Sequence, residues 1–254
     1  MNMKKIAILA LSLCMIAAIA VTGTIAYFMD EDAENNVFTM GNVEIDLQEE
    51  FDQNSNLQPG LNIDKNIRVQ NTGSNDAYVR VHIAIPSELD DGNPDFNASK
   101  NFLHFNFDKD SVVYGQWSWI PEYTTGTGYL GNGQGNWNFY EQNIDGKDYN
   151  VYVVTYRSAL ASGEITGTDA ITNVYLDKTV NAEADYEKDE NGEDVVKSYR
   201  YWDTKGNEVT YTAEEASNIQ IKVIAEGAQT ATFENAYDAL NTAFGVPGTY
   251  NPWN

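Results

Sequence analysis

The chain has 254 residues, of which 15 are basic and 38 are acidic, and its formal net charge at pH 7 is −23. This charge argues against nucleic acid and anionic membranes as partners, because a strongly negative surface repels polyanions. The only cysteine, Cys14, lies in the N-terminal apolar stretch, so the rest of the chain has no disulfide and no cysteine-ligated metal. The charge favours solubility outside the cell, and it would make association between copies depend on pH or divalent cations.

The first 26 residues have the three-part plan of a secretory signal peptide. The basic end consists of Lys4 and Lys5, and the apolar stretch is residues 6–21. Thr24-x-Ala26 is the small-x-small cleavage site. We predict cleavage after Ala26, which makes Tyr27 the new N-terminus and leaves no stable membrane anchor. An uncleaved anchor is the alternative, because the uncharged stretch is long enough to span a bilayer.

The sequence after the signal predicts a mainly β protein. Three stretches alternate apolar and polar residues, which is typical of strands that bury one face. Two stretches are apolar at successive positions, as in strands inside a sandwich. The alternating stretches are 43–47, 77–85 and 219–225, the continuous ones are 151–154 and 174–176, and turn-forming pairs at 59–60 and 162–163 precede two of the strands.

One helix is predicted near the C-terminus. Thr232 is its expected N-cap, and Gly245 followed by Pro247 is expected to end it. Its apolar stripe, which we expect to pack on the sandwich, consists of Phe233, Ala236, Tyr237, Leu240, Ala243 and Phe244.

Two polar segments are predicted as long loops. Residues 124–137 are rich in Gly and Asn, and residues 183–199 carry an acidic run at 189–194 that should form a solvated hairpin tip. Trp117 and Trp119 precede the first loop. Aromatic side chains in this region would suit sugar stacking, but a buried hairpin core is the preferred interpretation.

The sequence predicts no catalytic residue and no cofactor. His82 and His104 lack the HExxH spacing of a helical zinc site. His82 is expected on the outer face of its strand, and His104 lies among aromatic residues, where a packed histidine is the better interpretation. Calcium is a possible ligand, because 108–110 and 189–194 offer carboxylate oxygens, but neither segment has the EF-hand pattern, so no metal ligand is assigned.

A set of motif residues occurs between positions 20 and 85. They are Thr24, Ala26, Tyr27, Phe28, Asp30, Phe38, Thr39 and Gly41, then Pro59 and Gly60, then Asn71 and Gly73. In these residues the chain resembles the TasA/camelysin family of exported Gram-positive proteins. The resemblance implies processing by a SipW-type signal peptidase at Ala26, a jelly-roll antiparallel β-sandwich, and assembly into the extracellular matrix fibres of a biofilm.

The resemblance also implies a mechanism of assembly. The N-terminal segment 27–36 of one subunit would complete a sheet of the next subunit, which is donor-strand complementation. The donor candidates are Tyr27, Phe28 and Met29, and residues 37–254 would form a single TasA-like sandwich domain. Alternatively, Tyr27–Met29 folds back on its own sandwich.

The expected partners are copies of the chain or related fibre subunits, and the signal peptidase during export. Two other functions stay open at this point. Camelysin-type members are described as metallo-endopeptidases, which is the first alternative, although the two separated histidines give it little support. An accessory subunit or surface adhesin that binds through residues 117–140 is the second, because the region 95–215 shows no resemblance. In each case the protein would act in the extracellular matrix or at the cell surface.

Overall fold

The computed structural model describes residues 29–32, 43–51, 59–90, 102–106, 116–122 and 138–254. These residues are mainly β, which confirms the predicted fold class. The strands are β1 Met29–Asp32, β2 Ile45–Phe51, β3 Ile63–Asn71, β4 Ala77–Pro86, β5 Leu103–Asn106, β6 Trp117–Ser118, β7 Phe139–Ile144, β8 Lys147–Tyr156, β9 Asn173–Leu176, β10 Asn181–Lys188, β11 Asp194–Trp202, β12 Glu208–Thr212 and β13 Lys222–Gln229; the helices are α1 Ala213–Ser217 and α2 Ala236–Ala243.

The strands form three sheets, and each named strand pair is antiparallel. The six-stranded sheet has the order β1-β13-β4-β8-β6, with β7 also paired to β8. The four-stranded sheet has the order β2-β3-β9-β5, and the three-stranded sheet has the order β10-β11-β12. The jelly-roll connectivity implied by the resemblance stays an expectation, because this strand order does not establish it.

The main core lies between the inner faces of the six-stranded and four-stranded sheets. Alternate residues of β4, from Val79 to Ile85, pack there with residues of β3, β8 and β9. Trp117 and Trp119 are 0% and 1% exposed and belong to the same core, so the predicted role in a buried core is confirmed for both. Side chains this deeply buried cannot serve as an exposed sugar platform.

The outer face of β4 is also covered, and this corrects a prediction. The alternation at 77–85 predicted one buried and one exposed face, but all ten residues of β4 are buried. Helix α2 packs on the outer face through Ala236, Ala239 and Leu240, against Tyr78 and Ala228. Three outer residues of β4, Tyr78, Arg80 and His82, are large or polar, so the pattern alone did not reveal the covering layer.

Helix α2 confirms the predicted C-terminal helix but not its N-cap. The helix begins after Asn235, whose side chain accepts a hydrogen bond from the Asp238 amide at 3.0 Å. Thr232 has a φ of 77° and lies in the preceding turn, so it cannot cap the helix. Gly245 ends the helix with a φ of 101°, as predicted, and its amide donates to the Asn241 carbonyl.

Three further expectations need correction. Residues 183–199 are mostly the paired strands β10 and β11, and the only loop there is the predicted tip. Strand β13 begins at Lys222, so the first part of the pattern at 219–225 lies before the strand. The predicted single helix has a second, short companion in α1, where Thr212 and Glu215 form a capping box.

No helix in the described part of the chain is long and apolar enough to cross a membrane. The predicted signal peptide and its cleavage site lie outside the described residues, as do the loop at 124–137 and the carboxylates at 108–110.

Candidate functional site

The N-terminal strand β1 lies at the edge of the six-stranded sheet. It pairs only with β13, and the register runs from Met29 opposite Ala228 to Asp32 opposite Ala225. The donor candidate Met29 and the motif residue Asp30 therefore take part in this pairing. Because β1 is only four residues long, it contributes few interstrand hydrogen bonds, and its removal would leave β13 as the edge strand. We call the stretch 225–228 of β13 the acceptor edge.

The inner side of the acceptor edge packs closely against β2. Gly227 is the register partner of Asp30. A Cβ atom added at Gly227 would lie 2.8 Å from Cγ2 of Ile45 and 3.3 Å from Cγ1 of Val43. Only glycine fits without displacement, because real Cβ atoms do not approach other atoms so closely. The four-stranded sheet thus contacts the six-stranded sheet directly beneath the acceptor edge.

The outer side of the acceptor edge holds a buried carboxylate. Glu226 is 0% exposed, and its register partner on β4 is Arg80, which is 2% exposed. The Arg80 Nε donates to Glu226 Oε2, which makes a fully buried ion pair. Tyr250 donates its hydroxyl to Glu226 Oε1. Burial of a charge is unfavourable unless it is paired, and here both carboxylate oxygens have donors.

Arg80 connects the acceptor edge to the C-terminal segment 245–254. Its Nη1 donates to Asn241 Oδ1 at 2.9 Å, and its Nη2 donates to the Gly245 carbonyl at 3.0 Å and to the Tyr250 hydroxyl at 2.7 Å. The guanidinium also lies 5.8 Å from the ring centroid of Phe244. One side chain therefore joins β4, β13, α2 and the segment that follows α2.

His82 extends the same cluster along β4. Its Nε2 lies 3.1 Å from Glu226 Oε2, and its Nδ1 lies 3.0 Å from the Tyr140 hydroxyl. Trp253 donates its indole N–H to the same hydroxyl at 3.3 Å. These partners assign the neutral tautomer of His82 with the proton on Nε2, because Tyr140 then donates to Nδ1 and Glu226 accepts from Nε2.

Burial and charge set the protonation of this cluster. Burial lowers the pKa of His82 below 6.5 against the opposing effect of Glu226, so the ring is neutral at neutral pH. Burial would raise the pKa of Glu226, but His82, Arg80 and Tyr250 together lower it well below 4.5, so the carboxyl is ionised. The cluster therefore contains one balanced pair of charges, Arg80 and Glu226, and it is chemically suited to fastening elements together.

The motif residues in the described region have structural roles. Gly60, with a φ of 74°, donates its amide to the Leu176 carbonyl, and Pro59 bridges to the same strand. The buried Asn71 donates to the carbonyls of Asn75 and Leu160, and its Oδ1 accepts from the Gly73 amide at 3.0 Å. The remaining motif and cleavage residues lie outside the described residues: Thr24, Ala26, Tyr27, Phe28, Phe38, Thr39 and Gly41.

The histidines and the acidic run at 189–194 make contacts within the protein. His104 is buried, stacks on Tyr175 and lies 3.0 Å from an Asp177 oxygen. The Asp189 carboxylate accepts from the amides of Asn191 and Glu193, so it organises the hairpin tip. Across the described ranges, no group of three or more His, Cys, Asp or Glu side chains is placed to hold a metal.

No local sequence pattern directly indicates the Arg80–Glu226 pair or its contact with Tyr250. A weak signal was present, since a charged residue at the centre of an apolar strand needs a buried partner. Arg80 and Glu226 each have this setting, but 146 positions separate them, and only the pairing of β4 with β13 brings them together.

These observations define a mainly antiparallel β protein whose N-terminal strand occupies a sheet edge beside a buried ion pair. A model of the family described as camelysin metallo-endopeptidase matches residues 2–113. This match confirms the resemblance to the TasA/camelysin family over the N-terminal part of the chain, and it ends before the strands that follow β5. No curated protein and no solved structure matches the chain.

Proposed function

We propose that this protein is a secreted structural subunit of extracellular matrix fibres, and that subunits join by exchange of the N-terminal strand. The observation that carries the proposal is the antiparallel pairing of Met29–Asp32 with the acceptor edge. In the isolated chain this strand fills the edge in cis. In a fibre, the same strand of a neighbouring copy would fill it in trans with the same register.

Exchange requires little free energy, because both arrangements form the same backbone contacts. Swapping an identical element between copies changes few interactions, so it costs little beyond the entropy of association. Ten residues separate Asp32 from Val43, and a segment of this length spans at most roughly 35 Å. The strand can thus reach another copy while β2 stays in its own sandwich.

The negative charge of the chain should make strand exchange depend on pH and ionic strength. Strand β1 contains three consecutive acidic residues, Asp30, Glu31 and Asp32, in a chain of net charge −23. Copies therefore repel one another at neutral pH and low salt. We expect assembly to be faster at acidic pH, where carboxylates are protonated, and at higher ionic strength or with divalent cations.

Electron microscopy of two forms of the protein tests the proposal. The secreted form beginning at Tyr27 should form fibres, whereas a form beginning at Val37, which lacks β1, should stay monomeric. Circular dichroism of both forms controls for folding. Fibres of equal number and width from a folded Val37 form would refute the proposed mechanism.

The description of the matched family supports one second candidate, a metallo-endopeptidase. This function predicts cleavage of casein by the purified protein, with loss of activity on addition of a chelator. Absence of cleavage in zinc-supplemented buffer would remove this candidate and leave the structural role.

A further inference from the structure

The acceptor edge must stay extended while it changes partners, and the outer face of β13 shows how this is achieved. When β1 leaves, β13 keeps strand pairing only on the β4 side. A strand with one free edge has fewer interstrand hydrogen bonds and opens more readily, and side-chain contacts oppose this opening. Glu226 lies within the acceptor edge, and its buried carboxylate is held by donors from β4 and from the C-terminal segment.

The neighbouring outer position of β13 is fixed by the same layer. Ala228 is 2% exposed and packs with Ala236, Ala239 and Leu240 of α2. Two alternate residues of the acceptor edge are therefore tied to the elements that follow β13 in the chain. Both ties are made by residues of β4, α2 and the C-terminal segment, and departure of the N-terminal strand leaves these residues in place.

The C-terminal segment 245–254 is itself seated at two further points. A Cβ atom at Gly248 would lie 2.9 Å from Cβ of Tyr140, so the backbone of the segment touches β7. Trp253 donates to the hydroxyl of the same tyrosine. The segment thus spans the outer face of the sheet from β13 to β7, with Tyr250 as its contact to Glu226 and Arg80.

We propose that the C-terminal segment, acting through Tyr250, Arg80 and Glu226, is a brace that keeps the acceptor edge ready to receive a strand. These three are positioning residues, because their side chains fix β13 on the outer face of the sheet, whereas the incoming strand pairs with the β13 backbone. The role in assembly rests on the proposed fibre function, but the bracing of β13 does not. Loss of the brace should slow reception of a strand and leave donation of a strand unchanged.

Amide hydrogen exchange of the secreted form tests the brace without fibres. Tyr250→Phe removes the hydroxyl that donates to Glu226, and Tyr175→Phe on β9 makes the same chemical change in the other sheet. Because hydrogen bonds to charged groups are among the stronger ones, exchange at 225–228 should rise roughly 10- to 100-fold in Tyr250→Phe and stay unchanged in Tyr175→Phe. Equal exchange at 225–228 in both variants would overturn the brace, as would a uniform rise across β3 and β8.

A sided cross-linking assay tests the role in assembly. The secreted chain has no cysteine, so Met29→Cys can mark the donor strand and Ala228→Cys can mark the acceptor edge, since the two are register partners. Tyr250→Phe on the Ala228→Cys protein should slow formation of the mixed disulfide about tenfold, and on the Met29→Cys protein it should not. Equal slowing from either side would overturn the role of the brace. If the two single-cysteine proteins that keep Tyr250 form no mixed disulfide, the proposed strand exchange is refuted. The hydrogen-exchange result on the brace is independent of this outcome.

Discussion

The structure predicts a large loss of stability for Glu226→Ala. It removes the carboxylate that pairs with the 2% exposed Arg80 and that accepts the Tyr250 hydroxyl. The guanidinium would then be a buried charge without its counter-ion. Loss of one partner of a buried ion pair costs about 3–5 kcal/mol, much of it the penalty of the charge left behind.

This cost is large against the stability of a typical domain, which is about 5–15 kcal/mol. For a chain of this size, each kcal/mol lowers the melting temperature by about 2–4 °C, so Glu226→Ala should melt roughly 6–20 °C lower than the unaltered protein. Removing Arg80 as well should cost much less than the sum of the single losses, because the unpaired charge is then gone.

Urea and thermal denaturation of the form beginning at Tyr27, followed by circular dichroism, measure this effect. Asp194→Ala is the matched control, because it breaks the Lys188–Asp194 pair, whose side chains are 63% and 64% exposed. Solvent screening makes such a pair worth less than about 1 kcal/mol. If Glu226→Ala costs no more than Asp194→Ala, the buried pair is not the stabilising contact that the structure indicates.

Three further predictions concern pH and packing. Burial lowers the pKa of His82 below 6.5, so the unfolded state binds a proton before the folded state as the pH falls. The free energy of unfolding should therefore decrease at pH values below 6.5, by up to about 1.4 kcal/mol per pH unit. In urea titrations at several pH values, His82→Gln should lack this component. Gly227→Ala places a methyl 2.8 Å from Ile45 Cγ2, and denaturation should show a loss of about 1–3 kcal/mol; an unchanged midpoint would contradict the close packing. Asn71→Ala leaves the carbonyl of Leu160 without its side-chain donor and should cost at least about 2 kcal/mol, whereas Gln48→Ala, which breaks an exposed hydrogen bond, should cost far less.

Local pattern predicted much of the fold. The period of two identified β4, and the continuous apolar run identified β8, because strand geometry places alternate side chains on opposite faces. Glycines were also good predictors of turns, since a positive φ is costly for other residues. The hairpin β10–β11 was predicted as a loop because of the acidic run at its tip. Its place in the fold follows from the pairing of β11 with β12 and from the packing of Tyr211.

The candidate site was likewise predictable only in part. The resemblance predicts an N-terminal assembly segment at 27–36, but the register of β1 against β13 does not follow from the sequence, because β1 and its partner are nearly 200 residues apart. The buried cluster around Glu226 could not be predicted, because its residues come from three segments that are far apart in the sequence. The N-cap of α2 was misplaced because Thr232 and Asn235 are both good caps in sequence, and the backbone conformation decides between them.

The measurement that tests the central claim most directly is cross-linking in mixtures of two single-cysteine proteins. One carries Met29→Cys and the other Ala228→Cys, and Met29→Cys mixed with Ala182→Cys on β10 is the control. Under mild oxidation during assembly, the account predicts a disulfide between the first pair and none between the control pair. Fibres that form with no disulfide between the cysteines at positions 29 and 228 of different chains would contradict exchange of the N-terminal strand at the acceptor edge.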